Sequence, residues 1–445
     1  MRRHVVGMRR SSRGLFAGAA SLLMVAFVAA PFSSAAKGDT GILAMDDGVA
    51  IGYELVRPDG APPVGGWPAV LLAGREIDES LGQVFTSHGY AALLYVTRGH
   101  SGSGGVADFA GPRDVADFRA IRTWLGGRAD VSDTAIGAWG GSYSGGLILN
   151  ALAAGVPLAA ADVLETWTDL YSAFWPQGIA KPLPVGGLMM ESPVFAPFAS
   201  DALRSRNLEA LRPLLAVRSS LPKLGHVRTP VYLFQGRVDW LFDIAQATAA
   251  FSRLAGPKKL YVGAFGHIPS PGPAASPDTE YIRTQSVAWF DHFLRGASNG
   301  IESPAVQLAA GGGTAAAASW AGLPPTKTLT FGRSTRVAAP FETWGGGTVT
   351  LRVRRLRAYP QLVAFVTAGK TVVTHGAIKP HRGRNVIRLA NYCVLVPKGA
   401  RLRVTLGPNS NPKLDIAYLP LPGQVPGSIS FGAVTLKLSV LTRPG

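Results

Sequence analysis

The chain has 445 residues, of which 47% are hydrophobic and 16% are charged, and it contains 54 glycines and 33 prolines. This length and composition are typical of two globular domains with many turns. The formal net charge is +17 at pH 7, but the sequence has no nucleic-acid recognition motif, so we expect no nucleic-acid partner. The single cysteine, Cys393, excludes an internal disulfide and is predicted to be a buried strand residue.

The first 36 residues have the pattern of an export signal. Arginines without any acidic residue precede the apolar run 15–30, and Ser34, Ala35 and Ala36 supply small residues for cleavage. The run is shorter than the roughly 20 residues that a membrane-spanning helix needs. We therefore predict a cleaved signal peptide at 1–36 and a secreted or cell-envelope-associated protein, with an uncleaved membrane anchor as the alternative.

The next informative pattern is a glycine-rich turn between an apolar strand, 134–138, and a helix. The turn reads Gly-Gly-Ser-Tyr-Ser-Gly over residues 140–145. A serine at such a turn exposes its Oγ above the sheet, and glycines remove side chains that would clash there. The general pattern G-x-S-x-G is not fully met, because Ser144 stands two positions after Ser142. The turn predicts Ser142 as a nucleophile, with Ser144 as the next candidate.

Two later strand ends carry an acid and a histidine. Asp239 and His267 each follow a short apolar strand. Because the carboxyl ends of parallel strands meet at one edge of a sheet, we expect both residues to share a site with Ser142. The imidazole would take the proton of the serine, and the carboxylate would orient the imidazole, in the chain order of the α/β-hydrolase triad. Asp243 is the rival for the acid.

From residue 301 onward the hydrophobic pattern changes to a period of two. Val349, Leu351 and Val353 alternate with polar residues. Further short apolar stretches follow between turns, at 362–366, 386–389, 402–406 and 434–438. This pattern is typical of an all-β sandwich. We therefore predict a catalytic domain at 37–300 that closes with a helix at 279–294, a Gly/Ala-rich connection at 309–319, and a β domain at 301–445.

These residues resemble the Xaa-Pro dipeptidyl-peptidase and cocaine-esterase-like family of serine hydrolases. Residues 140–145 fit the G-x-S-Y-x-G form that this family has around its nucleophile. Other similar stretches lie at 45–49, 98–104, 165–171, 289–296 and 398–404. The resemblance implies an α/β-hydrolase fold with a short helical cap at about 164–227, followed by an all-β jelly-roll-like sandwich domain.

The resemblance implies an enzyme that works through an acyl-enzyme on a small peptide, ester or amide. An Xaa-Pro dipeptidyl-peptidase-like activity is preferred, and a carboxylesterase or acylase acting on small esters or amides is the alternative. A peptidase also needs a carboxylate for the free amine of its substrate, for which Glu165 and Glu76 are candidates. No pattern typical of a metal site is present, so we expect no metal and no other cofactor.

The same resemblance predicts how the oxyanion and the substrate are held. The backbone N–H of Tyr143 is expected to be one oxyanion donor. The esterase branch uses a tyrosine hydroxyl as the other, but the corresponding loop, 72–76, has no tyrosine, so a backbone N–H near Gly74 or Arg75 is predicted instead. Apolar walls of the substrate pocket are expected from Trp167, Trp175 and Trp240.

Positive charge is concentrated in the predicted β domain. Residues 301–445 carry many lysines and arginines but only three acidic residues, Glu302, Glu342 and Asp415. This imbalance suggests electrostatic contact with an anionic cell envelope, although the arginines could equally form a solvated strand face. Together with the missing tyrosine, the charge keeps a second class of function open, namely a non-catalytic envelope-binding protein on a hydrolase fold.

Overall fold

The computed structural model describes residues 38–267, 276–309, 318–410 and 416–442. The predicted signal peptide and most of the Gly/Ala-rich connection lie outside these ranges. Among the described residues, no helix combines the length and the apolar character that crossing a membrane requires.

The N-terminal part of the chain is built on a ten-stranded mixed sheet. Its strands are β1 (Asp39–Ala44), β2 (Ala50–Val56), β3 (Trp67–Gly74), β4 (Ala91–Val96), β5 (Val131–Gly141), β6 (Ala160–Leu164), β7 (Val231–Gly236), β8 (Lys258–Gly263), β9 (Val306–Leu308) and β10 (Ala318–Trp320). The spatial order is β1-β2-β4-β3-β5-β6-β7-β8-β9-β10. The pairings are parallel from β4 through β9. Strands such as β4, β6 and β7 are buried on both sides because helices cover both faces of the sheet.

Five of the described helices cover the sheet. They are α1 (Glu79–Thr86), α2 (Pro112–Gly126), α3 (Tyr143–Ala153), α8 (Ile244–Arg253) and α9 (Thr279–Arg295). Apolar residues of α1 and α9 form one core cluster with the sheet, whereas those of α2, α3 and α8 belong to the other cluster, on the opposite face. Helix α9 ends at Gly296, whose φ of 74° gives the left-handed cap that glycine adopts without strain.

The segment between β6 and β7 forms a cap of short helices. It contains α4 (Leu170–Phe174), α5 (Pro182–Glu191), α6 (Ala199–Leu203) and α7 (Arg212–Ala216), joined by 3-10 turns at Pro176–Gly178, Pro193–Phe198, Leu208–Leu211 and Leu221–His226. Prolines stand in the first turn of several of these helices, where no backbone N–H is needed. The resemblance placed the cap at about 164–227, and these short helices lie in that part of the chain.

The C-terminal part is an antiparallel sandwich of two sheets. Its strands are β11 (Thr326–Gly332), β12 (Ser334–Arg336), β13 (Phe341–Arg357), β14 (Leu362–Ala368), β15 (Thr371–Ile378), β16 (Gly383–Leu389), β17 (Leu395–Val396), β18 (Arg401–Gly407) and β19 (Ser428–Leu441). One sheet has the order β11-β19-β13-β16, with β17 on β13, and the other has the order β12-β18-β14-β15. The predicted fold class, an α/β hydrolase followed by a β-sandwich, is confirmed.

Two details differ from the sequence analysis. The first sheet extends beyond residue 300, since β9 pairs in parallel with β8 and its apolar residues Val306 and Leu308 are buried. A three-residue strand was too short to leave a readable pattern. Cys393 is buried as expected, but it lies in a segment without regular structure before β17.

Candidate active site

Ser142 lies at a sharp turn between β5 and α3. Its φ of 51° and ψ of −114° are a strained conformation for a residue with a side chain. The turn is fastened to the end of β6, because Ser142 N–H donates to the Leu164 carbonyl (2.8 Å) and the Ser142 carbonyl accepts from Thr166 Oγ1 (2.7 Å). A Cβ added at Gly146 would lie 2.5 Å from the Trp167 ring, so glycine is needed for the helix to pack this closely.

The structure brings together Ser142, His267 and Asp239, which the sequence placed 125 and 28 residues apart from one another. His267 Nε2 lies 3.0 Å from Ser142 Oγ, and His267 Nδ1 lies 2.8 Å from Asp239 Oδ2. The other oxygen of Asp239 accepts from the backbone N–H groups of Leu241 (2.9 Å) and Phe242 (3.2 Å). This chain of hydrogen bonds can deprotonate the serine and stabilise the resulting imidazolium.

The electrostatics of the site favour a charged imidazole. Burial lowers the pKa of His267, but the Asp239 carboxylate, by charge and by hydrogen bond, outweighs burial and raises the pKa above its ordinary value. A base whose protonated form is stabilised in this way is suited to take a proton from a hydroxyl.

The two rival residues make other contacts. Asp243 caps α8 by accepting from Ala245 N–H (3.1 Å), and its second oxygen accepts from Asn391 N–H (3.0 Å). Ser144 Oγ donates to the Ala73 carbonyl (2.6 Å), which ties the start of α3 to β3. Asp239 is therefore the acid that faces His267, and Ser142 is the serine that does.

The residues predicted to hold the oxyanion lie next to one another. Tyr143 is the first residue of α3, whose positive end faces the site, and its hydroxyl donates to the buried Asp114. Burial raises the pKa of Asp114 to about 7. Arg75 follows β3, and its guanidinium lies 5.3 Å from the centre of the Tyr143 ring. Their roles as donors to an oxyanion stay predictions.

A cap residue that the sequence analysis missed joins Arg75. Glu191, at the end of α5, accepts from Arg75 Nη2 (2.7 Å) and lies 3.1 Å from His100 Nε2. The cap is thus fastened above the β3 and β4 loops. His100, in the turn after β4, contributes to this contact. Glu191 is separated from both partners by about a hundred residues, so no local pattern could reveal it.

Aromatic side chains cover His267. Phe242 packs edge-on against the imidazole, with ring centres 5.3 Å apart, and Phe174 stacks on Phe242 at 6.1 Å. The predicted Trp167 lies 5.5 Å from Phe242 and stacks on Phe109 at 5.4 Å. Phe109 and Phe242 were not predicted, although Phe242 follows Asp239 by only three positions. This apolar layer can exclude water from the reacting groups.

The other two predicted pocket tryptophans are buried. Trp175 is fully buried inside the cap, where its Nε1 donates to the Ala202 carbonyl (3.0 Å). Trp240 is also buried, and its carbonyl accepts from Lys181 Nζ (2.8 Å). Of the candidates for binding a substrate amine, Glu76 is exposed, whereas Glu165 is buried near Asp239 and His267.

The loop that carries Asp239 is fastened to the β-sandwich. Arg237 forms a buried ion pair with Glu342 of β13, and it also donates to the carbonyls of Cys393 (3.1 Å) and Ala309. Cys393 N–H in turn donates to the Arg237 carbonyl at 2.9 Å. The β-sandwich therefore helps to position the acid of the site, which the sequence assigned to the first domain alone.

Comparisons with known proteins bear on this geometry. Residues 47–190 match the family model described as X-Pro dipeptidyl-peptidase (S15 family). The predicted resemblance to this family and the predicted enzyme class, a hydrolase, are confirmed. The matched segment of this S15-like hydrolase includes Ser142 but ends before Asp239 and His267, so the arrangement of those two residues comes from the structure. A search of curated proteins found no match.

Solved structures share the two-part architecture of this S15-like hydrolase. A CocE/NonD family hydrolase from Staphylococcus aureus is similar with a TM-score of 0.68 at 13% identity, over 91% of this chain and 93% of that one. An aminopeptidase from a marine sediment Thaumarchaeota archaeon gives 0.63 at 13% identity, over 93% and 96%. An α-amino acid ester hydrolase gives 0.62 at 14% identity, over 92% and 97%. At these identities the likeness concerns the fold.

Proposed function

We propose that the chain is a serine hydrolase that works through an acyl-enzyme. The observation that carries this proposal is the hydrogen-bonded chain from Ser142 Oγ through His267 to Asp239. Ser142 attacks the carbonyl carbon while His267 takes its proton, and His267 then returns the proton to the leaving group. Water, deprotonated by the same imidazole, releases the acyl group. Tyr143 N–H, with a backbone N–H near Arg75, holds the oxyanion.

The substrate proposed first is a peptide with an N-terminal Xaa-Pro dipeptide. It is supported by the description of the family model, whose match includes Ser142 and most of α5. Small esters or amides are the second candidate. They are favoured by the closely packed aromatic layer around Phe242, which suits a compact apolar acyl group. A peptidase also needs a carboxylate for the free amine of its substrate, and none of the described residues shown to contact His267 has an exposed carboxylate.

Parallel assays on an Xaa-Pro anilide and on short-chain phenyl esters test both candidates. High turnover of the anilide supports the peptidase, and turnover of the esters alone rejects it in favour of the esterase. Ser142→Ala should abolish either activity, whereas Ser144→Ala, which removes only the hydrogen bond to the Ala73 carbonyl, should retain a large part of it. Activity that survives Ser142→Ala would refute the nucleophile.

We also propose that the protein is exported and that its β-sandwich contacts an anionic surface. In the sheet of β13 and β16, Arg352 lies directly opposite Arg384, and both are exposed. Like charges in opposite positions destabilise a sheet. No ion pair found in the described ranges neutralises either arginine. An anionic polymer or lipid surface would supply the missing counter-charge, and binding would weaken as salt screens it.

A further inference from the structure

A second carboxyl group lies against the Asp239–His267 pair. Glu165 directly follows β6, and its φ of 43° is in the left-handed region that residues other than glycine rarely adopt. Its N–H donates to the Phe234 carbonyl of β7 at 2.9 Å. Its two neighbours, Leu164 and Thr166, hold the backbone of Ser142. Glu165 thus lies in the same backbone segment that holds Ser142, and its strained conformation directs its side chain into the site.

The carboxyl group of Glu165 is enclosed. The residue is 1% exposed, and its Oε1 has no hydrogen-bond partner. One oxygen of Glu165, one oxygen of Asp239 and one ring nitrogen of His267 all lie within 4.8 Å of one another. An unpartnered carboxyl oxygen is costly to bury, which makes this carboxyl group a candidate for a role in the site.

Two carboxyl groups in one buried site do not both ionise readily, because their charges repel and neither is solvated. Asp239 receives the backbone N–H groups of Leu241 and Phe242 as well as His267, so it is the better stabilised anion. Burial raises the pKa of Glu165 to about 8, and the Asp239 carboxylate also raises it, while His267 acts in the opposite direction. Glu165 is therefore the neutral member at neutral pH.

The charged and titratable groups around this pair are few. His267 follows β8, Asp239 follows β7, and the cap contributes Lys181, whose ammonium donates to the carbonyls of Trp240 and Leu241. Of these groups, His267 and Asp239 are the ones that act electrostatically on Glu165. Burial opposes the ionisation of Glu165 most strongly, and of the two charged groups Asp239 opposes it while His267 favours it, so loss of the Asp239 charge makes ionisation of Glu165 easier.

We propose that Glu165 is a second positioning acid for His267, neutral while Asp239 is ionised and ionised in its place when the charge of Asp239 is removed. The inference rests on the proposed function, since it assigns to His267 the role of general base. In the resting enzyme the neutral carboxyl leaves the site with a single negative charge. A second carboxylate would raise the pKa of His267 further and reduce the fraction of free base.

Kinetics of four variants test the proposal: Asp239→Ala, Glu165→Gln, the double variant, and Ser142→Ala. Loss of the orienting aspartate typically costs about 10⁴-fold in kcat where no other acid can replace it. With Glu165 as a second acid we expect Asp239→Ala to lose about 10²-fold or less, and the double variant to lose the full amount of about 10⁴-fold. Glu165→Gln alone should change kcat at pH 7 by less than about tenfold.

The pH profile of kcat/KM separates positioning from a merely structural role. The acid limb of Asp239→Ala should stay close to that of the wild type, because Glu165 then supplies the negative charge. In the double variant the limb should move to lower pH, since burial without a counter-charge lowers the pKa of an imidazole. The wild type should also show an alkaline transition that Glu165→Gln lacks. Circular dichroism and thermal melting establish that each variant is folded.

Each outcome decides the inference. If Asp239→Ala loses as much activity as the double variant, or both share one acid limb, Glu165 is not a second acid. Should Asp239→Ala fail to fold, Asp239→Ser, whose hydroxyl can still accept from Leu241 N–H, takes its place in the same comparison. Loss of activity to a chelator, with recovery on adding a divalent cation, would instead make the three side chains a metal site and overturn the proposal. Activity that survives Ser142→Ala refutes the proposed function itself.

Discussion

Replacing Glu342 with glutamine is expected to impair catalysis although Glu342 lies in the β-sandwich. Its partner Arg237 precedes Asp239 by two residues, and the side chains of Arg237 and Glu342 are only 7% and 8% exposed. The substitution removes the negative charge and leaves the arginine buried without a counter-ion. The loop that orients His267 would then lose its charged anchor on the second domain.

The size of the effect follows from this burial. Removing one partner of a buried ion pair costs about 3–5 kcal/mol, and we expect the lower end, about 3 kcal/mol, because Arg237 still donates to the Cys393 and Ala309 carbonyls. A displacement of about 1 Å in a catalytic group costs about 10²-fold in rate. We therefore expect kcat/KM of Glu342→Gln to fall by about 10- to 100-fold.

Urea unfolding and steady-state kinetics on the full chain measure both effects. Glu209→Gln is the matched control, since Glu209 pairs with Arg212 at 2.7 Å but is 81% exposed. An exposed pair is worth about 0–1 kcal/mol, so this variant should retain nearly full stability and activity. A double variant, Arg237→Met with Glu342→Met, should recover stability but not kcat, because it removes the unpaired charge without restoring the donors to Cys393 and Ala309.

Equal stability and equal kcat in Glu342→Gln and Glu209→Gln would refute the reasoning. It would mean that the loop holding Asp239 is positioned within the first domain alone.

Three further predictions concern pH and salt. Asp162 is fully buried, and burial raises its pKa well above the ordinary value; the folded state therefore binds the extra proton, and stability is lost as pH rises above about 4. The unfolding free energy of Asp162→Asn should exceed that of the wild type by a margin that grows by about 1.4 kcal/mol per pH unit, and a margin constant from pH 4 to 7 would contradict this. As the pH is lowered, kcat/KM should fall to half of its maximum at a pH above the ordinary histidine pKa of about 6.5, because the Asp239 carboxylate outweighs burial and raises the pKa of His267. A midpoint below that pH would contradict the assignment of His267 as the general base. Binding of the purified protein to anionic vesicles should weaken steeply between 0.05 and 0.5 M salt, roughly the range in which the screening length falls well below 10 Å. Binding should disappear, with turnover unchanged, when the exposed arginines are neutralised together. Binding that does not depend on salt would contradict the proposed contact between the β-sandwich and an anionic surface. The arginines to replace are Arg352, Arg354, Arg357, Arg382, Arg384 and Arg388.

Local patterns in the sequence were sufficient to predict that Ser142, Asp239 and His267 lie together. The glycine-rich turn indicated Ser142, and the order of strand ends indicated Asp239 and His267. The period-two alternation and the apolar stretches after it predicted β13, β14, β16, β18 and β19 of the sandwich, whereas β11, β12, β15 and β17 were not predicted. These features are local, since each depends on a few consecutive residues and on the rule that parallel strands end at one edge of the sheet.

What could not be predicted depends on contacts between distant segments. Arg237 and Glu342 are 105 residues apart, and Arg75 and Glu191 are 116 apart. No periodicity links such pairs. Glu165 was noted only as a possible amine ligand, because its position beside His267 depends on the strained backbone after β6.

Active-site labelling tests the central claim most directly. A fluorophosphonate reacts with a serine only where a base activates it, so the full chain should be labelled, and mass spectrometry of the digested protein should place the adduct on Ser142. Ser142→Ala and His267→Ala should lose the label, while Ser144→Ala should keep it, because Ser144 Oγ is directed to the Ala73 carbonyl. An adduct on another residue, or full labelling of Ser142→Ala, would contradict the account.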